Sequence, residues 1–342
     1  MKKTGWIISP APFLYTRPTV SSMSLATGLC LVPQVLMLIA VNDTKALLNL
    51  VLALSGSIIA ELCSSLPSRR NVIGDGTIVL SGLLVGLLLP VTLSPWIAFA
   101  SSFSGVLVAR VLFGGSGAYW MNPVAVAVGI AYISKPALFP PILVTADGIR
   151  TVGDAFGALR MDSFNLMDQD QSITGGMNQF FLSFLGIKLP EGYITLFWNS
   201  PSVIPAFRYN ILTLGASLFL IALNIIDWIQ PLMFLLVYSL AVGFLSLLPF
   251  GPSFFAGDML FGLLTSGMLF IAFFVLPDFS TNPRTRVGKM ISGIVSGLLA
   301  FSICGPGGSP VGGIFTIILI NIINPVIEYS ENRYIASAGD IS

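Results

Sequence analysis

Ala46–Ser65 reads ALLNLVLALSGSIIAELCSS, twenty residues with a single charge, Glu61. As an α-helix rising about 1.5 Å per residue, the run is about 30 Å long, which matches the hydrocarbon core of a bilayer. Nine further apolar segments accompany it: Ser21–Val41, Thr77–Leu93, Pro95–Phe113, Asn122–Pro141, Tyr209–Trp228, Pro231–Phe250, Asp258–Leu276, Val287–Cys304 and Val311–Tyr329. The expected fold is therefore an all-α integral membrane protein with about ten transmembrane helices. The segment at Thr77 is short and meets Pro90 near its end. A broken helix is tolerated in a membrane only where protein or a cavity satisfies the freed backbone, which makes this segment a functional candidate.

Composition agrees with that reading and narrows the chemistry. Charged residues are 9% of the chain, against about 25% in soluble proteins. With 342 residues and 31 charges (16 basic, 15 acidic), a water-facing surface could not be covered, so the lipid bilayer is the expected solvent. Histidine is absent, which excludes histidine-ligated haem, most zinc chemistry and a Ser-His-Asp mechanism. Cys30, Cys63 and Cys304 lie far apart without a CxxC spacing and read as buried structural thiols, so no metal site is expected. No nucleic-acid partner is expected either. Met1–Pro18 lacks the apolar core of a cleaved signal peptide and reads as a cytoplasmic leader.

Charge asymmetry orients the spans. A cytoplasmic N-terminus places Lys2, Lys3, Arg17, Arg69, Arg70, Arg284, Arg286, Lys289 and Arg333 inside, and only Lys45 in a short external loop. Lys135 and Arg208 flank the long segment Ile142–Phe207, which falls outside. Both termini are then cytoplasmic.

The two halves echo each other. Gly74-Asp75, Ser81-Gly82, Pro90 and Ser94-Pro95 recur as Gly257-Asp258, Ser266-Gly267, Pro277 and Asn282-Pro283. Ser104-Gly105 and Gly114-Gly115-Ser116 recur as Ser296-Gly297 and Gly307-Gly308-Ser309. Compositional coincidence is the alternative, because Gly and Ser are common in membrane helices. A true repeat of five helices, an odd number, must be inverted, with the broken segments meeting near the midplane. The expected organisation is a five-helix repeat over 1–141, an external loop over 142–207 and a second repeat over 208–342.

Several motifs carry a family resemblance. Gly74-Asp75-Gly76-Thr77, Ser81-Gly82-Leu83-Leu84 and Leu88-Leu89-Pro90 follow Ser9-Pro10-Ala11-Pro12. Gly114–Gly117 then leads into Asn122-Pro123-Val124-Ala125, Phe273–Asp278 runs through Asn282-Pro283 to Gly288-Lys289, and Asn321 through Asn324-Pro325 closes the last span. In this order and spacing the chain resembles the RnfD/NqrB family, membrane subunits of ion-pumping redox complexes, and its short N-terminus looks more like RnfD. The resemblance implies a bacterial cytoplasmic (inner) membrane location, other subunits of an Rnf/Nqr-type complex as partners, and Na⁺ or H⁺ as the moved ion. A subunit of an NqrB-type Na⁺-pumping NADH:quinone reductase and a non-redox inverted-repeat transporter or channel are the alternative readings.

The same resemblance implies FMN joined through its phosphate to a threonine, in a D-x-x-S-G-A-T motif on the external, periplasmic side, with a flavin transferase as maturation partner. Here the loop reads Asp168-Gln169-Asp170-Gln171-Ser172-Ile173-Thr174-Gly175-Gly176-Met177. In one register Asp168 stands six residues before Thr174, with Gln171, Ser172 and Ile173 in the S-G-A places. In a second register Thr174-Gly175-Gly176 matches S-G-A and Met177, without a hydroxyl, takes the acceptor place. Asp147-Gly148-Ile149-Arg150-Thr151 is a competing stretch. Thr174 is the expected acceptor, flanked by Asp168, Ser172 and Gly175. Ser172, Thr151 or a chain without covalent flavin are the alternatives. A modifying enzyme needs an exposed, flexible hydroxyl, and Gly175 and Gly176 supply backbone freedom.

Ionisable residues inside spans are functional candidates. Glu61 is read as part of an ion pathway, with a structural hydrogen-bonded role as the alternative. Asp75 and Asp258 head the repeat-related spans, where helix capping is compatible with cation binding. Asp278 reads as an interfacial partner of nearby bases. Arg110 needs a carboxylate, carbonyl or phosphate partner, and with Trp120 is the candidate holder of a second, non-covalent flavin (riboflavin or FMN). No residue of the chain is expected to be catalytic by itself.

Overall fold

The computed structural model describes residues 18–68, 75–115, 117–139, 166–186, 188–245, 257–307 and 311–339. The expected leader over 1–17, Arg69 and Arg70, Gly74, Ser116 and the stretch Asp147–Thr151 lie outside the described residues. Among those described, the structure is helical and contains no strand.

Helices lie on all ten apolar segments. The first half holds α1 (Val20–Ala40), α2 (Thr44–Ser68), α3 (Thr77–Leu88), α4 (Pro95–Val106) and α5 (Pro123–Ser134). Two short helices follow, α6 (Asp170–Met177) and α7 (Tyr193–Trp198). The second half holds α8 (Asn210–Ala222), α9 (Ile229–Leu245), α10 (Met259–Thr265), α11 (Arg286–Gly307) and α12 (Gly312–Gly339). Four helices are long and apolar enough to cross a membrane, over Val20–Ala40, Thr44–Cys63, Arg286–Cys304 and Gly312–Tyr334.

Helix α1 shows which solvent these helices are built for. Its exposed stripe is Leu25, Leu29, Val32, Leu36 and Ile39, whereas Ser24, Thr27 and Gln34 are buried among its inward residues. A water-soluble helix places leucines inward and polar groups outward. The reverse arrangement suits lipid, where polar side chains find partners between helices. Gln34 does so, donating from Nε2 to Thr213 Oγ1 of α8 at 3.0 Å and tying the two halves together.

Helix α3 is apolar all round and nearly enclosed, with Ile78 and Val85 through Leu88 among its buried residues. Its 12 residues span only about 18 Å, and the chain leaves it through Pro90. Asn49 of α2 covers that break, donating from Nδ2 to the carbonyls of Pro90 (3.3 Å) and Leu93 (3.2 Å). Close approach of α2 and α3 depends on Gly86, where a Cβ would stand 2.7 Å from Leu50 Cα.

The matching segment of the second half breaks differently. Helix α10 ends at Thr265, Gly267 takes a left-handed turn (φ +75°), and the chain resumes as Met268–Phe270 followed by a π-helical turn, Ile271–Val275. A second π-helical turn, Leu107–Val111, extends α4 and carries Arg110. Neither of these two π turns nor the stop before Gly267 follows from the sequence, since apolar content runs through all three. The thiols differ in setting from the expected buried set. Cys304 is buried, Cys30 is half-buried and Cys63 is exposed on α2.

Candidate functional site

Two clusters bring ionisable groups together. In the first, α2 and the π turn after α4 place Glu61 and Arg110 side by side. Arg110 Nε lies 3.3 Å from Glu61 Oε2, and both side chains are 1% exposed. Arg110 Nη2 also donates to Thr77 Oγ1, at the start of α3, at 2.8 Å. The partner that Arg110 required is therefore a carboxylate supplied by a helix 49 residues earlier in the chain (110 − 61). Holding a pair this deep costs desolvation, which is offset only while both charges stay together.

Thr77 also lines a cavity of about 50 Å³ between the halves. Its walls include Thr27, Ser81, Tyr119, Asn122 and Asp278. Asn122 caps α5 through Oδ1, which accepts from the Val124 amide at 2.8 Å, and its Nδ2 donates to the Val275 carbonyl at the end of the π turn Ile271–Val275 at 3.0 Å. Tyr119 donates to Asp278 at 3.0 Å, and Thr281 donates to the same carboxylate at 3.3 Å. Asp278 thus takes hydroxyl partners, whereas Lys289 pairs with Asp227 at 2.8 Å.

The second cluster is centred on Asp170, which is 1% exposed. Its Oδ1 accepts from Thr174 Oγ1 (3.1 Å) and from the Gly192 amide (2.7 Å). Its Oδ2 accepts from the Thr195 amide (2.7 Å) and the Thr195 hydroxyl. Asn178 reinforces the join, exchanging two hydrogen bonds of 2.8 Å with the Leu189 backbone. One residue past Gly192, the Tyr193 hydroxyl bonds to Asp258. Asp258 in turn caps α10 by accepting from the Phe261 amide at 2.9 Å. Asn210 bridges α7 and α10 by donating to the carbonyls of Leu196 (3.0 Å) and Leu264 (2.8 Å).

Burial alone would raise the pKa of Asp170, but hydrogen bonds from Thr195, Gly192 and Thr174 outweigh it and hold the carboxyl below its ordinary range. Folding therefore favours the deprotonated form. The stability from Asp170 is full above the unfolded pKa of about 3.9 and is lost as pH falls through the lower folded value. A melting series in acid should show this loss in the wild-type chain and a shallower loss in Asp170→Asn.

The sequence-predicted residues are distributed over these clusters and the surface. Glu61 and Arg110 meet; Asp258 lies with the Asp170 cluster. Asp75 is exposed and does not cap α3, whose capping position is taken by Gly76 in a left-handed conformation (φ +65°). Trp120 is 44% exposed and packs edge-on against Phe113, with centroids 6.0 Å apart. Asp168, Ser172 and Gly175 are exposed, while Thr174 is buried at 1% exposure. Tyr193, Thr195 and Asn210 were not singled out from sequence. Their partners lie 14 to 65 residues away in the chain, and no local pattern marks them.

Flavin attachment at Thr174 requires an accessible hydroxyl, and the one present is enclosed and committed to Asp170, so the residues do not fit. Arg110, committed to Glu61 and Thr77, does not face outward to a flavin phosphate.

Comparison with known proteins places the chain. The model of the family described as NQR2, RnfD, RnfE matches residues 7–336. The chain is 27% identical over 334 residues to the D subunit of the proton-translocating ferredoxin:NAD(+) oxidoreductase complex of Clostridium ljungdahlii, covering 96% of this chain and 95% of that one. It is 29% identical over 313 residues to the D subunit of the ion-translocating oxidoreductase complex of Actinobacillus succinogenes, covering 86% and 87%. The D subunit of the complex of the same description in Cronobacter sakazakii is 25% identical over 350 residues, covering 94% and 96%. With a family match from residue 7 to residue 336 and helices on every apolar segment, the chain belongs to the NQR2, RnfD, RnfE family.

Proposed function

We propose that this chain is a D-type membrane component of an ion-translocating oxidoreductase complex, moving Na⁺ or H⁺ across a bacterial cytoplasmic membrane. Its spans form two inverted sets of five, over 1–141 and 208–342, with both termini cytoplasmic and 142–207 external. Matching helix contacts in the two halves support the repeat. α2 packs on α3 and α4, and α4 on α5; in the same way α9 packs on α10 and α11, and α11 on α12.

The observation that carries the transport reading is the buried Glu61–Arg110–Thr77 group, whose Thr77 also lines a cavity of mixed polar and apolar walls between the halves. A charge inside a membrane protein is costly and marks a pathway by default. Glu61 holds a negative charge that Arg110 neutralises. A cation arriving through the cavity competes with the guanidinium for that carboxylate, and Thr77 retains Arg110 when it yields. Two arrangements of one pair thus form a gate, and whatever favours one of them shifts the population.

Electron transfer belongs to the complex. A flavin, when bound, supplies the one- and two-electron chemistry that the protein orients. FMN attached at Thr174 does not fit the enclosed hydroxyl there, and no step of the gate passes through a flavin. Purification of the tagged chain from its native membranes tests the assignment. It should bring other subunits and ferredoxin- or NADH-linked electron transfer with it. A chain that purifies alone, with that activity left wholly in the remaining membranes, contradicts it.

A further inference from the structure

We infer that Thr174 is a structural threonine, not a point of flavin attachment, and that with Asp170 and Thr195 it forms a carboxylate knot holding the segment before α8 against α10. The inference stands on the segment's own geometry and does not depend on membership of a redox complex.

The sequence places Asp170 and Thr174 four residues apart, so they share one face of α6. That face is buried, with both residues 1% exposed, while Gln171, Ser172 and Gly175 are exposed. Asp170 gathers donors from two stretches of chain: the Thr174 hydroxyl from its own helix, and the Gly192 amide, the Thr195 amide and the Thr195 hydroxyl from the start of α7. Each carboxylate oxygen receives two of them. A charge-assisted set of this kind is among the stronger hydrogen-bonded arrangements available to a protein. What it holds is specific. Gly192 has a positive φ of 108°, and the residue after it, Tyr193, carries the hydroxyl that meets Asp258 at the cap of α10. Fixing Gly192 therefore fixes the strut between this segment and the broken helix of the second half.

A phosphoester on Thr174 is incompatible with the knot. Forming the O–P bond removes the Oγ1 proton that Thr174 donates to Asp170. It also sets a phosphodiester anion against a buried carboxylate, replacing an attraction with a repulsion between like charges. The hydroxyl must further leave the interior to meet a modifying enzyme. In the alternative register of the motif, the acceptor place belongs to Met177, which has no hydroxyl. The one other hydroxyl of α6 belongs to Ser172. It is exposed and donates to its own Gln169 carbonyl at 2.9 Å.

The test uses the full chain, produced together with a flavin transferase and its FAD donor and purified in lipid nanodiscs. Peptide mass spectrometry across 166–186 should find Thr174 unmodified, with any flavin phosphate in that stretch on Ser172. Melting should show Thr174→Val lowered by about 2–5 °C, the scale of one lost hydrogen bond to a charged group. Thr174→Ser, which keeps the donor, should melt with the wild type, and Asp170→Asn should fall further than Thr174→Val. Flavin phosphate on Thr174 overturns the inference. So does a Thr174→Val chain that melts with the wild type, since a hydroxyl that holds nothing is not structural. Should Thr174→Val fail to fold, the comparison of Thr174→Ser with Asp170→Asn still decides the matter, because only the knot predicts that the first is silent and the second is not.

Discussion

Replacing Arg110 by glutamine should destabilise the chain by about 3–5 kcal/mol, the cost of leaving a buried charge without its partner. Glu61 is 1% exposed, and Arg110 is its ion-pair partner at 3.3 Å. Glutamine keeps much of the side-chain volume and a donor for Thr77, so lost packing contributes little and the uncompensated carboxylate dominates. The double variant Glu61→Gln with Arg110→Gln should recover most of the loss, because a neutral pair carries no such penalty. Melting in nanodiscs, with the single variants as controls, reads both effects. A double variant no more stable than Arg110→Gln alone would show that the two residues act separately.

Gly267→Val is expected to be nearly as damaging, for a different reason. Gly267 has φ +75°, a region where a left-handed backbone costs an ordinary residue about 1–2 kcal/mol and a β-branched one more. Its missing side chain also makes room for Phe207. A Cβ there would stand 2.5 Å from the ring carbons Cδ2 and Cε2. The ring cannot retreat, since Phe207 is 1% exposed and packs against Phe270 with centroids 6.4 Å apart. Overpacking of this kind adds about 1–3 kcal/mol. The valine chain should therefore melt well below the wild type. Gly267→Ala, which keeps the clash but relaxes the β-branching, should fall between them. Equal melting of all three would mean that the turn before Met268 is not a fixed feature of the fold.

These two residues show what was legible in the sequence. Arg110 stood out because a lone charge within an apolar run must find a partner, and charge narrowed that partner to a carboxylate, a carbonyl or a phosphate. Which carboxylate it would be did not follow, because Glu61 meets it only through the packing of α2 beside α4. Gly267 belonged to a Ser-Gly pair noted in both halves, but Ser81-Gly82 lies inside a continuous helix while Ser266-Gly267 ends one. The surroundings of the two glycines also differ: the ring of Phe207, a residue outside the repeat, fills the space a side chain would take at Gly267, whereas Ser57 and Leu54 of α2 fill it at Gly82. Capping divided the same way. Asp258 caps α10 as its position after Gly257 suggests, whereas Gly76 displaces Asp75 from that role.

The hydroxyl at 174 is the clearest case of a local pattern overruled by distant chain. Two flanking glycines gave it the look of an open, flexible acceptor. Its actual environment comes from Gly192 and Thr195, which lie 22 and 25 residues beyond Asp170 and which no motif around 168–177 could disclose. Periodicity reports which face of a helix is apolar, and Thr174 is polar on the buried face because a carboxylate is there to receive it.

On the proposed reading, this chain moves a cation past Glu61 in step with electron transfer. This is tested most directly in proteoliposomes holding the whole complex, with ²²Na⁺ uptake and internal pH followed while electrons pass from reduced ferredoxin to NAD⁺. The wild-type complex should accumulate one of the two cations only while electrons flow. The complex carrying Glu61→Gln together with Arg110→Gln, the neutral pair that leaves no uncompensated charge, should keep its subunits and its uncoupled electron transfer but lose at least nine tenths of that accumulation, about a tenfold effect or 1.4 kcal/mol at the gate. Undiminished uptake with this double variant, in a complex shown to be intact, would contradict a cation path past Glu61.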